Sequence, residues 1–305
     1  MASIKELSNI PERLSSGHRL CAGCGASVGI RQILMATKDP VVIGSATGCL
    51  EVATTIYPFT AWKVPFIHNA FENVAATISG VETAYRAFKK KGKIKKEIKF
   101  MAIGGDGGTY DIGIQSLSGA LERGHKMLYV CYDNGAYMNT GIQRSGATPY
   151  GASTTTAPAG KAKPGKEQFR KDLLSIVAGH HIPYAAQATI SNWKDLIAKA
   201  EKAFNTDGPS FLNVLCPCPR GWRFPGEKTI EIAKLAIDTG FWPLVEIENG
   251  VWRFTYKPRE KKPIIEWIKS QGRYKHLLKE ENKGIIDTIQ KRVDDNWASP
   301  IFELL

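Results

Sequence analysis

Two groups of residues in this chain have the types and spacing to do chemistry. The first centres on Asp106, set among Gly104, Gly105, Gly107 and Gly108 directly after the apolar run Phe100-Met101-Ala102-Ile103. Four glycines give up side-chain packing and cost backbone entropy on folding, so the position calls for a bare backbone. A strand ending in such a turn and running into a helix offers free N–H groups and the positive end of a helix dipole to a phosphate. An aspartate there repels that phosphate unless a divalent cation lies between them. Mg²⁺ suits the role, because it binds through a few protein oxygens plus substrate phosphates. Such an ion asks for further oxygen ligands, and Asn134, with Gly135 after it, ends the next strand candidate. The 26 residues 108–133 amount to one helix plus one strand, which sets Asp106 and Asn134 on neighbouring strand ends.

The second group is sulfur. Six cysteines stand at 21, 24, 49, 131, 216 and 218, as one CxxC, one CxC and two singles. A cytosolic chain of this length rarely builds a disulfide framework, so metal or redox chemistry is the better reading. Cys131 lies in a buried strand candidate and is read as packing. CxxC with CxC is compatible with structural zinc as well as with an iron–sulfur cluster. The histidines add little: His180-His181 follows a helix, His68 sits in an apolar stretch, and no HExxH occurs.

The elements that must position these residues alternate. Strand candidates are 41–44, 98–104, 127–132, 184–190 and 211–215, each a buried-type apolar run suited to a parallel sheet covered on both faces. Helical patterns fall near 25–37, 70–90, 111–124, 167–180 and 191–206, with Ser191 or Asn192 as N-cap and Asp207-Gly208-Pro209 as stop. The expectation is an α/β, doubly wound, mainly parallel sheet with ligands at the carboxyl ends of its strands, followed by a C-terminal hairpin and helical arm. The domain division is 1–240 for the cofactor-binding unit and 241–305 for the arm, read either as contacting a partner subunit or as packing on itself. Asn249-Gly250 is the two-residue turn of the arm's hairpin. Residues 151–166, rich in small residues, Thr, Pro and Lys, are expected to be disordered or held by a ligand or partner.

Composition excludes several classes. At 305 residues with 43% apolar and 23% charged residues, the chain is ordinary for a globular protein. No apolar run is long enough to span a bilayer. The first residues, MASIKELSNIPERLSSGH, lack the layout of a secretory signal, so a cytoplasmic location is expected and no membrane contact. The net charge of +12 raises nucleic-acid binding as a rival. Yet the densest basic run, KKKGKIKKEIK, has no interleaved aromatics and reads as a solvated helix end. The charge fits an acidic protein partner or anionic small molecules instead.

The Gly105-Asp106-Gly107 and Asn134 pairing resembles the signature of thiamine diphosphate enzymes. GHRLCAGCGA, SATGC, PFIHNAFEN, GGDGGTYDIGIQSLSGALERGH, YDNGAYMNTGIQRSGATPYG and PCPRGW together resemble the thiamine-binding beta subunit of the 2-oxoacid:ferredoxin oxidoreductases, most closely the pyruvate branch, from about residue 17 to 225. The resemblance implies an EC 1.2.7-type reaction. Pyruvate is decarboxylated, its acyl group passes to coenzyme A, and electrons reach ferredoxin through a [4Fe–4S] cluster; the reverse synthesis is equally implied. Branched-chain 2-oxo acids, or oxalate without coenzyme A, are alternatives, as is a non-redox thiamine enzyme with structural zinc.

By the same resemblance Cys21, Cys24, Cys49 and Cys218 are the cluster ligands, with Cys218 preferred over Cys216 because Pro217 precedes it and Gly221 follows three residues later. Asp106, Asn134 and the main-chain oxygen of Ala136 are the Mg²⁺ ligands. Gly105, Gly107, Gly108, Asn139 and Thr140 approach the diphosphate, with Asn139 at the reacting end as the catalytic candidate. Thr47, Gly48 and Cys49 set cluster and cofactor side by side, and His68 lies near the substrate. The glutamate that activates thiamine is expected on an alpha-type partner subunit. A ferredoxin-like subunit or domain and a coenzyme A-contacting subunit complete the expected assembly, so this chain is half an active site.

Overall fold

The computed structural model describes residues 4–298. Eight strands form one sheet: β1 (Val41–Ala46), β2 (Phe66–Asn69), β3 (Lys99–Gly105), β4 (Leu128–Asp133), β5 (Tyr184–Thr189), β6 (Ser210–Leu215), β7 (Leu244–Glu248) and β8 (Val251–Tyr256). Their spatial order is β2-β1-β3-β4-β6-β5-β7-β8. The first six run parallel, β7 is antiparallel to β5, and β8 is antiparallel to β7. The chain steps outward from β1 to β2 and then returns to place β3 on the other side of β1. The C-terminal ends of β1 and β3 therefore flank a topological switch point, where open α/β sheets bind their ligands.

Every residue of β4 and β6 is buried, which is why both read as mainly apolar runs, with Asp133, Ser210 and Asn213 as their charged and polar exceptions. Their side chains still alternate. Leu128, Val130 and Tyr132 join a core beneath the helices Gly25–Leu34 and Trp193–Asn205. Tyr129 and Cys131 face the opposite core, built with the helices Val74–Lys90, Ile114–Glu122 and Leu173–Ala178. The helix Trp193–Asn205 is capped by Asn192, whose side chain accepts from the Asp195 N–H at 3.4 Å.

Several expectations are corrected. β2 was not among the strand candidates. The chain from Gly107 to Asp111 is a π-helical turn ahead of the helix Ile114–Glu122, so no regular helix begins at Asp111. The helix expected over 167–180 covers only Leu173–Ala178. The two ends of residues 151–166 are tied together: the Gly151 N–H donates to Lys166 O at 2.8 Å and the Lys166 N–H to Ala152 O at 3.1 Å, and the buried Lys166 ammonium donates to the carbonyls of Thr148 at 2.5 Å and Gly146 at 3.4 Å.

The C-terminal stretch also packs on its own chain. Asn249 and Gly250 take φ of 50° and 81°, the left-handed pair a type I′ turn demands, and β7–β8 lengthen the main sheet. Trp267, Tyr274, Leu277, Ile289 and Val293 close a third core with Trp222. No break in the sheet accompanies residue 240, and residues 299–305 of the expected arm lie outside the described residues. Among the described residues no helix is long and apolar enough to cross a membrane.

Candidate active site

The carboxyl ends of four adjacent strands carry the chemistry. Thr47-Gly48-Cys49 follows β1, Asp106 follows β3, Asn134 follows β4, and Cys216-Pro217-Cys218 follows β6. The β3–β4 register pairs Gly105 with Tyr132, so Asp106 and Asn134 leave the sheet side by side. All ten residues expected around the cofactor (Thr47, Gly48, Cys49, Gly105, Asp106, Gly107, Gly108, Asn134, Asn139 and Thr140) line one narrow cleft. Phe71, Tyr132, Tyr137 and Met138 complete its wall and were not foreseen.

Asp106 is 1% exposed. Burial pushes its carboxyl well above the usual carboxylate range, and the neighbouring Asp133 adds to the shift; the hydroxyl of Ser145 and the N–H of Asn134 oppose it. One carboxylate oxygen, Oδ2, accepts from Ser145 Oγ. The other, Oδ1, accepts the Asn134 N–H at 3.3 Å. With its NH₂ turned inward, the Asn134 amide donates to Asp106 Oδ1 at 2.8 Å and to the Ala136 carbonyl oxygen at 2.9 Å. With its oxygen turned inward instead, it would join the Asp106 carboxylate as an oxygen ligand beside the Ala136 carbonyl, and a few protein oxygens of this kind are what Mg²⁺ takes alongside a diphosphate.

Asp133, one residue before Asn134, is fully buried. It accepts from the Tyr110 hydroxyl at 2.7 Å and the Gly135 N–H at 3.1 Å, and pairs with the Arg170 guanidinium. Nothing in the sequence pattern marks this pair beyond a carboxylate beside Asn134. The glycines have a packing reason as well. A β-carbon on Gly107 would enter the Tyr137 ring, which lies over it and donates its hydroxyl to the Gly107 carbonyl at 3.1 Å. The bare backbone of the GGDGG turn is therefore roofed by aromatic rings of this chain.

The CxxC turn, Cys21 to Cys24, is drawn against the end of β6. A β-carbon on Gly25 would stand 2.8 Å from the Cys216 carbonyl carbon, and the Gly25 N–H donates to Pro217 O at 3.2 Å. Cys21 lies close enough to Cys24, Cys49 and Cys218 to raise all three thiols, though in each behind burial. Cys49 is pushed up to about 12 by burial, then by Cys218, Cys24, Cys21 and Asp106. Burial first and Cys24 and Cys21 after it hold Cys218 at about 11 against the opposing Gly221 N–H, which donates to its sulfur at 3.3 Å. Cys216 instead lies fully within the aliphatic core, its sulfur beneath Gly29, and Cys131 is buried in the opposite core. A metal centre binds cysteines as thiolates, so its binding would release their protons. That donor set, thiolate only and four in number, matches what a [4Fe–4S] cluster takes. Among the described residues no three His, Cys, Asp or Glu side chains, these four cysteines included, are gathered as a group that could hold a metal ion.

His68, half-exposed at the end of β2, holds the buried Glu51 carboxylate at 2.5 Å, close to Thr47 through the β1–β2 register. The Thr47 hydroxyl and N–H both donate to Asn69 O, fixing the first residue of the Thr47-Gly48-Cys49 turn.

Comparison with known proteins shows the family. The family described as thiamine pyrophosphate enzyme, C-terminal TPP binding domain, matches residues 43–214. The pyruvate synthase subunit PorB of Thermotoga maritima is 59% identical over 93% of this chain and 90% of its own. The subunit of the same name from Methanocaldococcus jannaschii is 54% identical over 93% of this chain and 95% of its own. Among solved structures, 2-oxoglutarate:ferredoxin oxidoreductase from Magnetococcus marinus, with 2-oxoglutarate, coenzyme A and succinyl-CoA bound, superposes with a TM-score of 0.56. It is 19% identical over 73% of this chain and 79% of that one, a likeness of fold. With identity this high along nearly its whole length, the chain belongs to the thiamine diphosphate-binding beta subunits of the 2-oxoacid:ferredoxin oxidoreductases and works as one subunit of such an enzyme.

Proposed function

We propose that the 2-oxo acid is pyruvate, and that this subunit holds thiamine diphosphate through Mg²⁺ beside a [4Fe–4S] cluster of its own. The observation that carries the reading is the meeting of the Asp106 carboxylate, the Asn134 side-chain amide and the Ala136 carbonyl, in a cleft that also includes Cys49, whose thiol is raised by those of Cys218, Cys24 and Cys21. In this reading Asp106, Asn134 and the Ala136 carbonyl bind the ion. The N–H groups opened by the π turn at Gly107 and Gly108, with Gly105, Asn139 and Thr140, face the diphosphate, and Asn139 stands nearest the reacting end. Cys21, Cys24, Cys49 and Cys218 hold the cluster, and Thr47-Gly48-Cys49 keeps cluster and cofactor adjacent.

Thiamine diphosphate, when bound, supplies the electron sink for decarboxylation of a 2-oxo acid. Overall, pyruvate loses CO₂ and two electrons. Its acetyl group joins the sulfur of coenzyme A, whose thiol proton leaves, and two ferredoxins each take one electron. This chain's residues position the diphosphate, keep water from it with Tyr132, Tyr137 and Phe71, and give the electrons a short exit past Cys49. The thiamine-activating glutamate, the coenzyme A contacts and the onward relay come from the partner subunits, in an assembly located in the cytoplasm. The exposed parts of residues 241–298 are a surface for such a partner.

The test is anaerobic co-purification of the native complex, with metal analysis and an assay of coenzyme A-dependent ferredoxin reduction against a panel of 2-oxo acids. Four iron and four sulfide per chain beyond the partners' share, with pyruvate the best substrate, is the expected result. Stoichiometric zinc would reject the cluster, and a branched-chain acid or oxalate as best substrate would reject pyruvate. Asp106→Ala should lose metal-dependent cofactor while keeping its iron.

A further inference from the structure

A hydroxyl that no ligand role requires governs the geometry of the proposed ion site. Ser145 sits 39 residues from Asp106 in sequence, yet its Oγ donates to Asp106 Oδ2 at 2.5 Å, and both side chains are buried. Its position is set by a short turn. The Ser145 N–H donates to Thr148 Oγ1 at 2.9 Å, and the Ala147 N–H donates to Ser145 Oγ at 3.2 Å. The Thr148 hydroxyl donates its own proton to the Gly135 carbonyl at 2.7 Å. Each hydroxyl has one proton, and each proton is committed, Ser145's to Asp106 and Thr148's to Gly135. One turn thus grips the carboxylate and also the backbone link between Asn134 and Ala136, the other two oxygen donors. Lys166 fixes the turn from outside by donating to Gly146 O and Thr148 O.

The consequence concerns the number of oxygens Asp106 can give. With Oδ2 bonded to Ser145, Oδ1 is the carboxylate oxygen turned toward Asn134, 2.8 Å from its side-chain amide, which in turn reaches the Ala136 carbonyl. A one-oxygen carboxylate suits Mg²⁺, which demands a tight octahedron. Ca²⁺ takes six to eight oxygens and gains from two-oxygen carboxylates. From this geometry we infer that Ser145 is a positioning residue that restricts Asp106 to one ligating oxygen and so makes the site selective for Mg²⁺ over Ca²⁺. The inference rests on the Mg²⁺ reading of the preceding section.

The test uses the assembled enzyme, purified anaerobically with its partner subunits and dialysed free of cofactor and divalent ions. Thiamine diphosphate binding is followed by quenching of protein fluorescence while Mg²⁺ or Ca²⁺ is titrated, which gives a ratio of half-saturating concentrations independent of turnover. Ser145→Ala should move that ratio toward Ca²⁺ by about tenfold, the scale of a lost hydrogen bond to a charged group. Ser145→Thr should restore it, and Ser145→Cys, a weak donor of similar size, should fall between. A merely structural role would weaken both ions alike and leave the ratio unchanged. An unchanged ratio in the alanine and cysteine variants overturns the inference, and the cysteine variant decides alone if the alanine variant does not assemble. Asp106→Asn separates the two levels: if it binds thiamine diphosphate with wild-type Mg²⁺ dependence, the ion site itself is wrong. If it loses that dependence while the Ser145 variants keep the wild-type ratio, only the role of Ser145 falls.

Discussion

Cys49 and Asp106 share the wall of one cleft, and the Asp106 carboxylate joins burial and three other thiols in pushing the Cys49 thiol up to about 12. The pocket that would hold a cluster and the pocket that would hold an ion are therefore electrostatically one site. An anionic oxygen group and a set of thiols repel each other's ionisation until cations fill both.

This coupling fixes the sign of a pH effect in the cluster-free enzyme. Cys49 and Cys218 have folded values of about 12 and about 11, above the ordinary thiol value of 9.0. Below pH 9.0 both folded and unfolded chains keep these protons, and their contribution to stability is fully present. As pH rises through the window from 9.0 to about 12 the unfolded chain loses them first, so stability falls. Thermal melting of the cluster-free enzyme should drop across the lower part of that window, and Cys49→Ala should flatten the drop. An equal slope in wild type and variant would reject the crowding of these thiols.

The choice between the two late cysteines is a second prediction. Cys218 lies among the other thiols with a backbone N–H on its sulfur, whereas Cys216 is packed beneath Gly29. Cys218→Ser should lose iron and sulfide from the purified chain. Cys216→Ser should keep both and cost about 1–3 kcal/mol of stability, the cost of a hydroxyl buried in an apolar core. Iron analysis and a urea midpoint on each variant decide it, and iron loss from the Cys216 variant alone would reverse the assignment.

How much of this was legible in the sequence depends on the range of the contact. β4 was readable because six buried residues in a row leave no polar interruption. β2 was not, since Phe66-Ile67-His68-Asn69 is short, half polar and at the sheet edge, where hydrophobic pattern is weakest. The adjacency of Asp106 and Asn134 followed from a gap of one helix plus one strand. The Ser145 clamp and the Arg170–Asp133 pair could not follow from spacing, because both cross between segments joined by irregular chain. The order in 151–166 was hidden for a related reason: Lys166 binds backbone carbonyls, which every residue has and no pattern marks. The glycines of the GGDGG turn were readable as a demand for space, but the claimants include tyrosine rings 129, 132 and 137 of this chain.

A steric prediction follows from the last of these rings. Gly107→Ala puts a methyl group where the Tyr137 ring lies, and that ring is tethered to the Gly107 carbonyl and packed against Phe71, 6.0 Å between centroids. Relief pushes the ring into the cleft. Overpacking of this kind costs about 1–3 kcal/mol, roughly ten- to a hundredfold in cofactor affinity if the cofactor must reverse it. Thiamine diphosphate binding should weaken by that factor, and adding Tyr137→Ala should recover part of it. Equal affinities in wild type and Gly107→Ala would show that the ring has another place to go.

The pair beneath the site makes the last prediction. Asp133 is fully buried and takes three donors, of which only Arg170 carries charge. The same guanidinium lies 4.7 Å from the Trp242 ring centroid and also donates to the Tyr110 hydroxyl at 2.6 Å. Arg170→Ala leaves a buried carboxylate without its countercharge, a loss of about 3–5 kcal/mol. Because Asp133 directly precedes Asn134 and raises the Asp106 carboxyl behind burial, cofactor affinity should fall with stability. Arg170→Lys should rescue incompletely, since a single ammonium cannot hold the planar two-partner geometry or the indole face. Removing the charge itself is the decisive control. Asp133→Asn placed on Arg170→Ala should regain part of the lost urea stability, because the exposed defect is an unpaired ion rather than a missing contact. If the double variant is no more stable than Arg170→Ala alone, the arginine acts through packing, and the electrostatic link from Arg170 through Asp133 to Asp106 does not hold.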